Sequence, residues 1–183
     1  HLVDIENLLG QPSNWTPEAA IASFWQYILI AGWQIGDSLV VASNPKVMKL
    51  LAFELFGFPH RSLCAWGPDA ADDLLISAVP NEIANQFDRF VVGSGDHAFS
   101  QLVADLRGQI PTLVVVGEGL ISSKLYRAAQ EVLYLGRQPL DNQTPPTTPG
   151  LNEVRRCIKS RTNSDHRVSG QIADSQFAVT ANG

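Results

Sequence analysis

Cysteine is scarce in this chain, with two in 183 residues, Cys64 and Cys157. One lies in an apolar run and the other in a polar stretch far from it. A disulfide framework is therefore not expected, and a reducing, cytoplasmic compartment is. Long hydrophobic runs are missing as well. No window approaches the ~18 consecutive apolar residues of a membrane span, so a membrane is not expected as a partner. Nothing at the start reads as a signal or transit peptide. Positive charge is not in excess: 13 Lys and Arg stand against 18 Asp and Glu, a net charge of −5. That balance argues against broad electrostatic capture of nucleic acid. A chain of this charge needs a cation to mediate if it is to handle a polyanion. No internal repeat is visible. The length suits one domain with a sizeable core, plus a tail.

The opening Leu2-Val3 is too short for a buried strand ending at Asp4, so further residues are expected upstream of His1. Asp4-Ile5-Glu6-Asn7 leads into a loop holding Gly10 and Pro12. Thr16-Pro17-Glu18 starts a helix with an N-cap, a proline at the first position and an early acid. Ala20, Ile21, Phe24, Trp25 and Ile28 give that helix an apolar face. Apolar strands are expected at 38–42, 61–66, 89–92 and 112–116, with a short edge strand at 132–135. Helices are expected from Asn44 to about Leu55, from Asp69 to about Val79, from about Ala98 to Arg107, and after Ser122. The four tryptophans read as packing residues. Strands alternating with helices, and apolar throughout, imply a parallel sheet covered on both faces. Residues 137–150 read as a Pro/Thr-rich linker, and 151–183 as a loosely ordered polar tail with a basic cluster at Arg155, Arg156, Lys159 and Arg161.

The most informative stretch is Phe90-Val91-Val92-Gly93-Ser94-Gly95-Asp96-His97-Ala98-Phe99. It ends an apolar strand in two glycines around a serine, and a carboxylate follows. Such a position is where open α/β sheets hold ligands. Gly93-x-Gly95-x-x-Ala98 fits a dinucleotide fingerprint, with Glu118 about where a ribose-binding acid would stand. Three features weaken that reading. Asp96 would repel a pyrophosphate, three strands precede the motif, and too little chain follows it for a second half-fold.

The competing reading collects carboxylates. With strand order 3-2-1-4-5, Asp4 and Asp96 end neighbouring strands at the switch point and face each other. Asp72 lies in the first turn of the third helix. Acids converging without a His/Cys set favour Mg²⁺ or Mn²⁺ over zinc. Asp72 also has a plainer explanation: with Asp69 as N-cap, Asp72 and Asp73 are first-turn acids favoured by the helix dipole. Asn7 can cap a turn, Ser122 and Ser123 read as N-caps, and His97 as an exposed residue at a helix start.

Four segments in order resemble NYN domains, a family of the PIN-like nuclease superfamily. Val3-Asp4-Ile5-Glu6-Asn7-Leu8 is similar to their D-x-x-N opening. Gly67-Pro68-Asp69-Ala70-Ala71-Asp72 is similar to a G-x-x-A-A-D segment, residues 89–99 to the strand-S-G-D-x-x-F core, and Ser122-Ser123-Lys124-Leu125 to a late serine-leucine motif. The resemblance covers residues 2 to about 135, so 1–136 is expected to form the domain. It implies a PIN-like, Rossmannoid α/β three-layer sandwich with a mainly parallel five-stranded sheet. It also implies metal-dependent cleavage of single-stranded RNA, with Asp4, Asp72 and Asp96 as catalytic metal ligands and Asn7, Ser94 and Ser122 in support. The chain departs from the pattern at Ala98, where many relatives carry a second acid, and at Gln130, where some carry an aspartate. An RNA- or protein-binding regulatory module of the same fold, with a protein partner or as a homo-oligomer, is the alternative.

Overall fold

The computed structural model describes residues 1–136. The linker and tail expected over 137–150 and 151–183 lie outside them. The elements are β1 (Leu2–Asp4), α1 (Ile5–Leu9), α2 (Pro17–Ile30), β2 (Val40–Ser43), α3 (Pro45–Leu55), β3 (Arg61–Cys64), α4 (Ala70–Ser77), α5 (Ile83–Gln86), β4 (Phe90–Gly93), α6 (Ser100–Leu106), β5 (Thr112–Val116), α7 (Ser123–Ala128) and β6 (Glu131–Tyr134). All strand pairs are parallel, in the order β3-β2-β1-β4-β5-β6. The first five follow the expected order. The sixth is the short edge strand read near 132–135, and it joins in parallel.

Central strands β1, β2 and β4 are buried along their whole length, as their valine-rich sequences require when helices cover both faces. Leu2, Val40, Ala42, Phe90, Val92, Val114 and Val116 point to one side. There they pack with Leu75 of α4, Ile83 of α5, Val103 and Leu106 of α6 and Leu125 of α7. Helices α1, α2 and α3 contact one another and form the opposite layer, with α1 over β2 and β4 and α3 over β2. The edge strand β3 is largely exposed, and Cys64 with it.

Local chemistry sets most helix starts. Thr16 Oγ1 accepts from Ala19 N, Asn44 Oδ1 from Lys46 N and Val47 N, and Ser122 Oγ from Leu125 N. Two short helices, α1 and α5, occupy segments that read as loop. Glycines permit the close approaches between layers. A Cβ on Gly93 would stand 2.6 Å from the Tyr27 ring, and one on Gly117 would stand 2.0 Å from Leu8 O. No helix among the described residues is long and apolar enough to cross a membrane.

Candidate functional site

β1 lies between β2 and β4, where the chain reverses its direction of build-up across the sheet. Beyond the carboxyl ends of these strands opens a cleft of about 400 Å³. Its walls come from the β1–α1 junction (Asp4, Glu6, Asn7), the turn after α1 with Trp15, the segment 67–72, and Gly119-Leu120.

Asp4 ends β1 and caps α1, Asn7 N donating to its Oδ1 at 3.2 Å. Only 6% of the residue is exposed. Burial pushes its carboxyl up to about 8, the Asp72 charge adds to the shift, and the Asn7 amide opposes it. Asp72 sits three residues before the fully buried Leu75 and therefore on the same face of α4. It is 5% exposed, whereas the adjacent Asp73 is exposed to solvent. The two carboxyls, Asp4 and Asp72, are in hydrogen-bond contact, yet Asp72 Oδ1 is buried without a partner. Burial raises Asp72 to about 6, and the charge of Asp96 is the next contribution.

Asp72 stands in the first turn of α4, as expected, but it is buried, and the cap bond expected from the Asp69 side chain is not formed. Asp69 stands at the N-cap position with left-handed backbone (φ 56°) and makes no side-chain cap bond. Asp4 and Asp96 lie at the carboxyl ends of the neighbouring strands β1 and β4, as expected. Asp72 is the acid that touches Asp4 and feels Asp96, so it links the three.

Asp96 is half-buried. Its Oδ1 accepts from Ala98 N at 2.8 Å and meets His97 Nδ1 at 2.7 Å. His97 is exposed as expected, but it has a partner that the sequence did not announce. The S-G-D turn is clamped from several directions. Gly95 N donates to Asn7 Oδ1 at 2.6 Å, Asp96 N donates to the buried Ser94 Oγ at 3.1 Å, and Ser122 N donates to Gly95 O at 2.8 Å. A Cβ on Gly95 would stand 3.0 Å from Leu120 O, so a side chain there would crowd the backbone at 120–121. Asn7 thus ties the Asp4 turn to the Asp96 turn, and Ser94 shapes the latter. The hydroxyl of Ser122 is spent on capping α7.

No known family model matches this chain, and no curated protein does.

Among the described residues, no three His, Cys, Asp or Glu side chains are grouped closely enough to enclose a metal ion. What exists is an open wall: two touching buried carboxyls, an orphaned acceptor oxygen, and a third acid within electrostatic range. Such a pair can share a proton or hold a hard cation, since two touching carboxylates cannot both ionise without a counter-charge. The donor chemistry fits Mg²⁺ or Mn²⁺, because Mg²⁺ is commonly held by one or two carboxylates, with waters and substrate phosphates completing its shell.

Sequence reasoning passed over Glu6. It lines the cleft and accepts from Ser43 Oγ and Asn44 N, fixing the β2–α3 turn against α1. The departure at Gln130 proves to be remote from the site. Gln130 accepts from Thr112 N and donates to Arg107 O, at the amino end of β5.

Proposed function

We propose that this protein is a metal-dependent ribonuclease of the PIN-like NYN type. The observation that carries the reading is the buried Asp4–Asp72 pair at the mouth of the cleft, with Asp72 Oδ1 lacking any partner. Burying acids in contact costs stability unless something compensates, and a divalent cation compensates most directly. In this reading Asp4 and Asp72 hold Mg²⁺ or Mn²⁺, and Asp96 completes the acidic set from the neighbouring strand. Bound there, the ion lowers the pKa of water and offsets charge on the departing oxygen of a phosphodiester. Asn7 keeps the two acidic turns at fixed separation, and Ser94 fixes the backbone that presents Asp96. The chain's negative charge accords with a site that admits RNA only with the ion in place.

Two observations weigh against a dinucleotide at Gly93-x-Gly95. The Gly95 and Asp96 amides that would cradle a pyrophosphate are already bonded to Asn7 and Ser94, and Ala98 N is bonded to Asp96. The regulatory-module alternative draws on the open wall, which lacks a closed three-acid group among the described residues. A calorimetric Mn²⁺ titration of wild type and Asp72→Asn separates these readings. The nuclease reading expects binding by wild type and its loss in the variant. No Mn²⁺ binding leaves the module, and binding of NAD in place of Mn²⁺ installs the dinucleotide.

A further inference from the structure

Trp66 reads as a packing residue in the sequence, but it is 66% exposed. It follows the edge strand β3 and directly precedes Gly67, Pro68 and Asp69, which line the acidic cleft. Trp66 therefore lies at the carboxyl end of the sheet, next in the chain to the cleft wall though not itself part of it. Lys46, from the start of α3, holds its Nζ over one face of the ring, 6.0 Å from the centroid, so a base would stack on the other face. α3 begins at the carboxyl end of β2, so both side chains come from the end of the sheet that carries the cleft. The other strongly exposed aromatics of this region, Phe53 and Phe56, lie at the far end of α3.

A single exposed aromatic is ordinary on a protein surface. Here the surroundings give it meaning. The described residues lining the cleft include Asp4, Glu6, Asp69 and Asp72 and no Lys or Arg. A nucleic-acid backbone approaching these walls is repelled, and Lys46 offers a positive charge at the same end of the sheet. An exposed indole beside an ammonium group matches what a single strand presents, a π-face on each base and an anionic phosphate beside it.

We infer that Trp66 and Lys46 form a docking point for single-stranded RNA, the indole stacking on one base and the ammonium group meeting an adjoining phosphate. The inference rests on the ribonuclease reading and adds to it the two residues that hold the single strand. A duplex keeps its bases stacked on one another, so it cannot use the indole. Single-stranded DNA offers the same π-faces and phosphates and serves as the arm that separates sugar from base recognition.

The test is fluorescence anisotropy of a labelled single-stranded 12-nucleotide RNA with the full chain, in Ca²⁺ so that binding is read without turnover. Trp66→Ala is expected to weaken binding at least about fivefold, the lower end of base–aromatic stacking, and Trp66→Phe to restore most of it. Lys46→Ala is expected to weaken binding and to lower the salt dependence by about one charge's worth. Phe53→Ala is expected to bind as wild type, and single-stranded DNA to show the same dependence on Trp66. Binding unchanged in Trp66→Ala overturns the inference. So does equal loss in Phe53→Ala, equal affinity for a blunt RNA duplex, or failure of Trp66→Phe to rescue. If wild type cleaves RNA in Mn²⁺ and Trp66→Ala binds normally, only the docking point falls. If wild type neither cleaves nor binds RNA, the ribonuclease reading falls and takes the docking point with it.

Discussion

Replacing Asp4 with asparagine tests whether the acids really are held together against their own chemistry. Burial and Asp72 push the Asp4 carboxyl up to about 8 in the folded chain, against an ordinary value near 4 when unfolded. Between those values the folded state keeps a proton that the unfolded state releases. Stability is therefore fully present at low pH and is lost as pH rises through the folded pKa. One such proton is worth about 1.4 kcal/mol per pH unit, which sets a ceiling of roughly 4 kcal/mol between pH 5 and 8. The cleft admits water, which lowers the expectation to about 2 kcal/mol, or roughly 4–8 °C in Tm for a chain of this size. Asparagine keeps an Oδ1 that can accept from Asn7 N, so the α1 cap survives while the titration disappears. Thermal melts in EDTA from pH 5 to 8 are expected to show wild type losing stability as pH rises. Asp4→Asn should lose less, the two proteins diverging most at pH 8. Wild-type stability that is level or rising over this range, or an Asp4→Asn protein that melts below wild type at pH 8, would show that Asp4 is not held protonated by burial.

Asn7→Ala removes the acceptor for the Gly95 amide and is expected to cost roughly 1–3 kcal/mol in a denaturant melt, with cleavage falling further than the folded fraction does. Gly117→Ala puts a methyl group into the Leu8 backbone, where no side chain can yield; a loss of about 3 kcal/mol or failure to fold is expected on expression and melting. Asp69→Gly relieves a left-handed residue that makes no side-chain cap bond and is expected to raise stability by about 0.5–1 kcal/mol in the same melt.

Much of the architecture is legible in the sequence because the signals are local. Thr16, Asn44 and Ser122 announce helix starts through side chains that bond within three residues, and buried valine runs announce a parallel sheet. Less legible is whatever depends on which face a short helix turns inward. Asp72 and Asp73 are chemically alike, and only α4 packing through Leu75 distinguishes the buried acid from the exposed one. The signal was present, since Asp72 is three residues before Leu75, but a first-turn acid has a sufficient local explanation. α1 spans only Ile5–Leu9, too short for its apolar spacing to be told from a loop. Trp66 reads as a core residue by type, and its exposure follows from β3 lying at the sheet edge. The Asn7–Gly95 clasp joins residues far apart in the chain, and no local pattern encodes it.

The proposed function gives the carboxylates joined at Asp72 a role in metal-dependent cleavage of RNA. A labelled single-stranded RNA incubated with wild type and with Asp72→Asn, in Mn²⁺ and in EDTA, tests it most directly. Asparagine matches aspartate in size, so Asp72→Asn is expected to fold. Cleavage by wild type in Mn²⁺, none in EDTA, and a loss of at least about a hundredfold in the variant are expected. Cleavage by Asp72→Asn at the wild-type rate, or RNA left intact by wild type in Mn²⁺, would contradict that role.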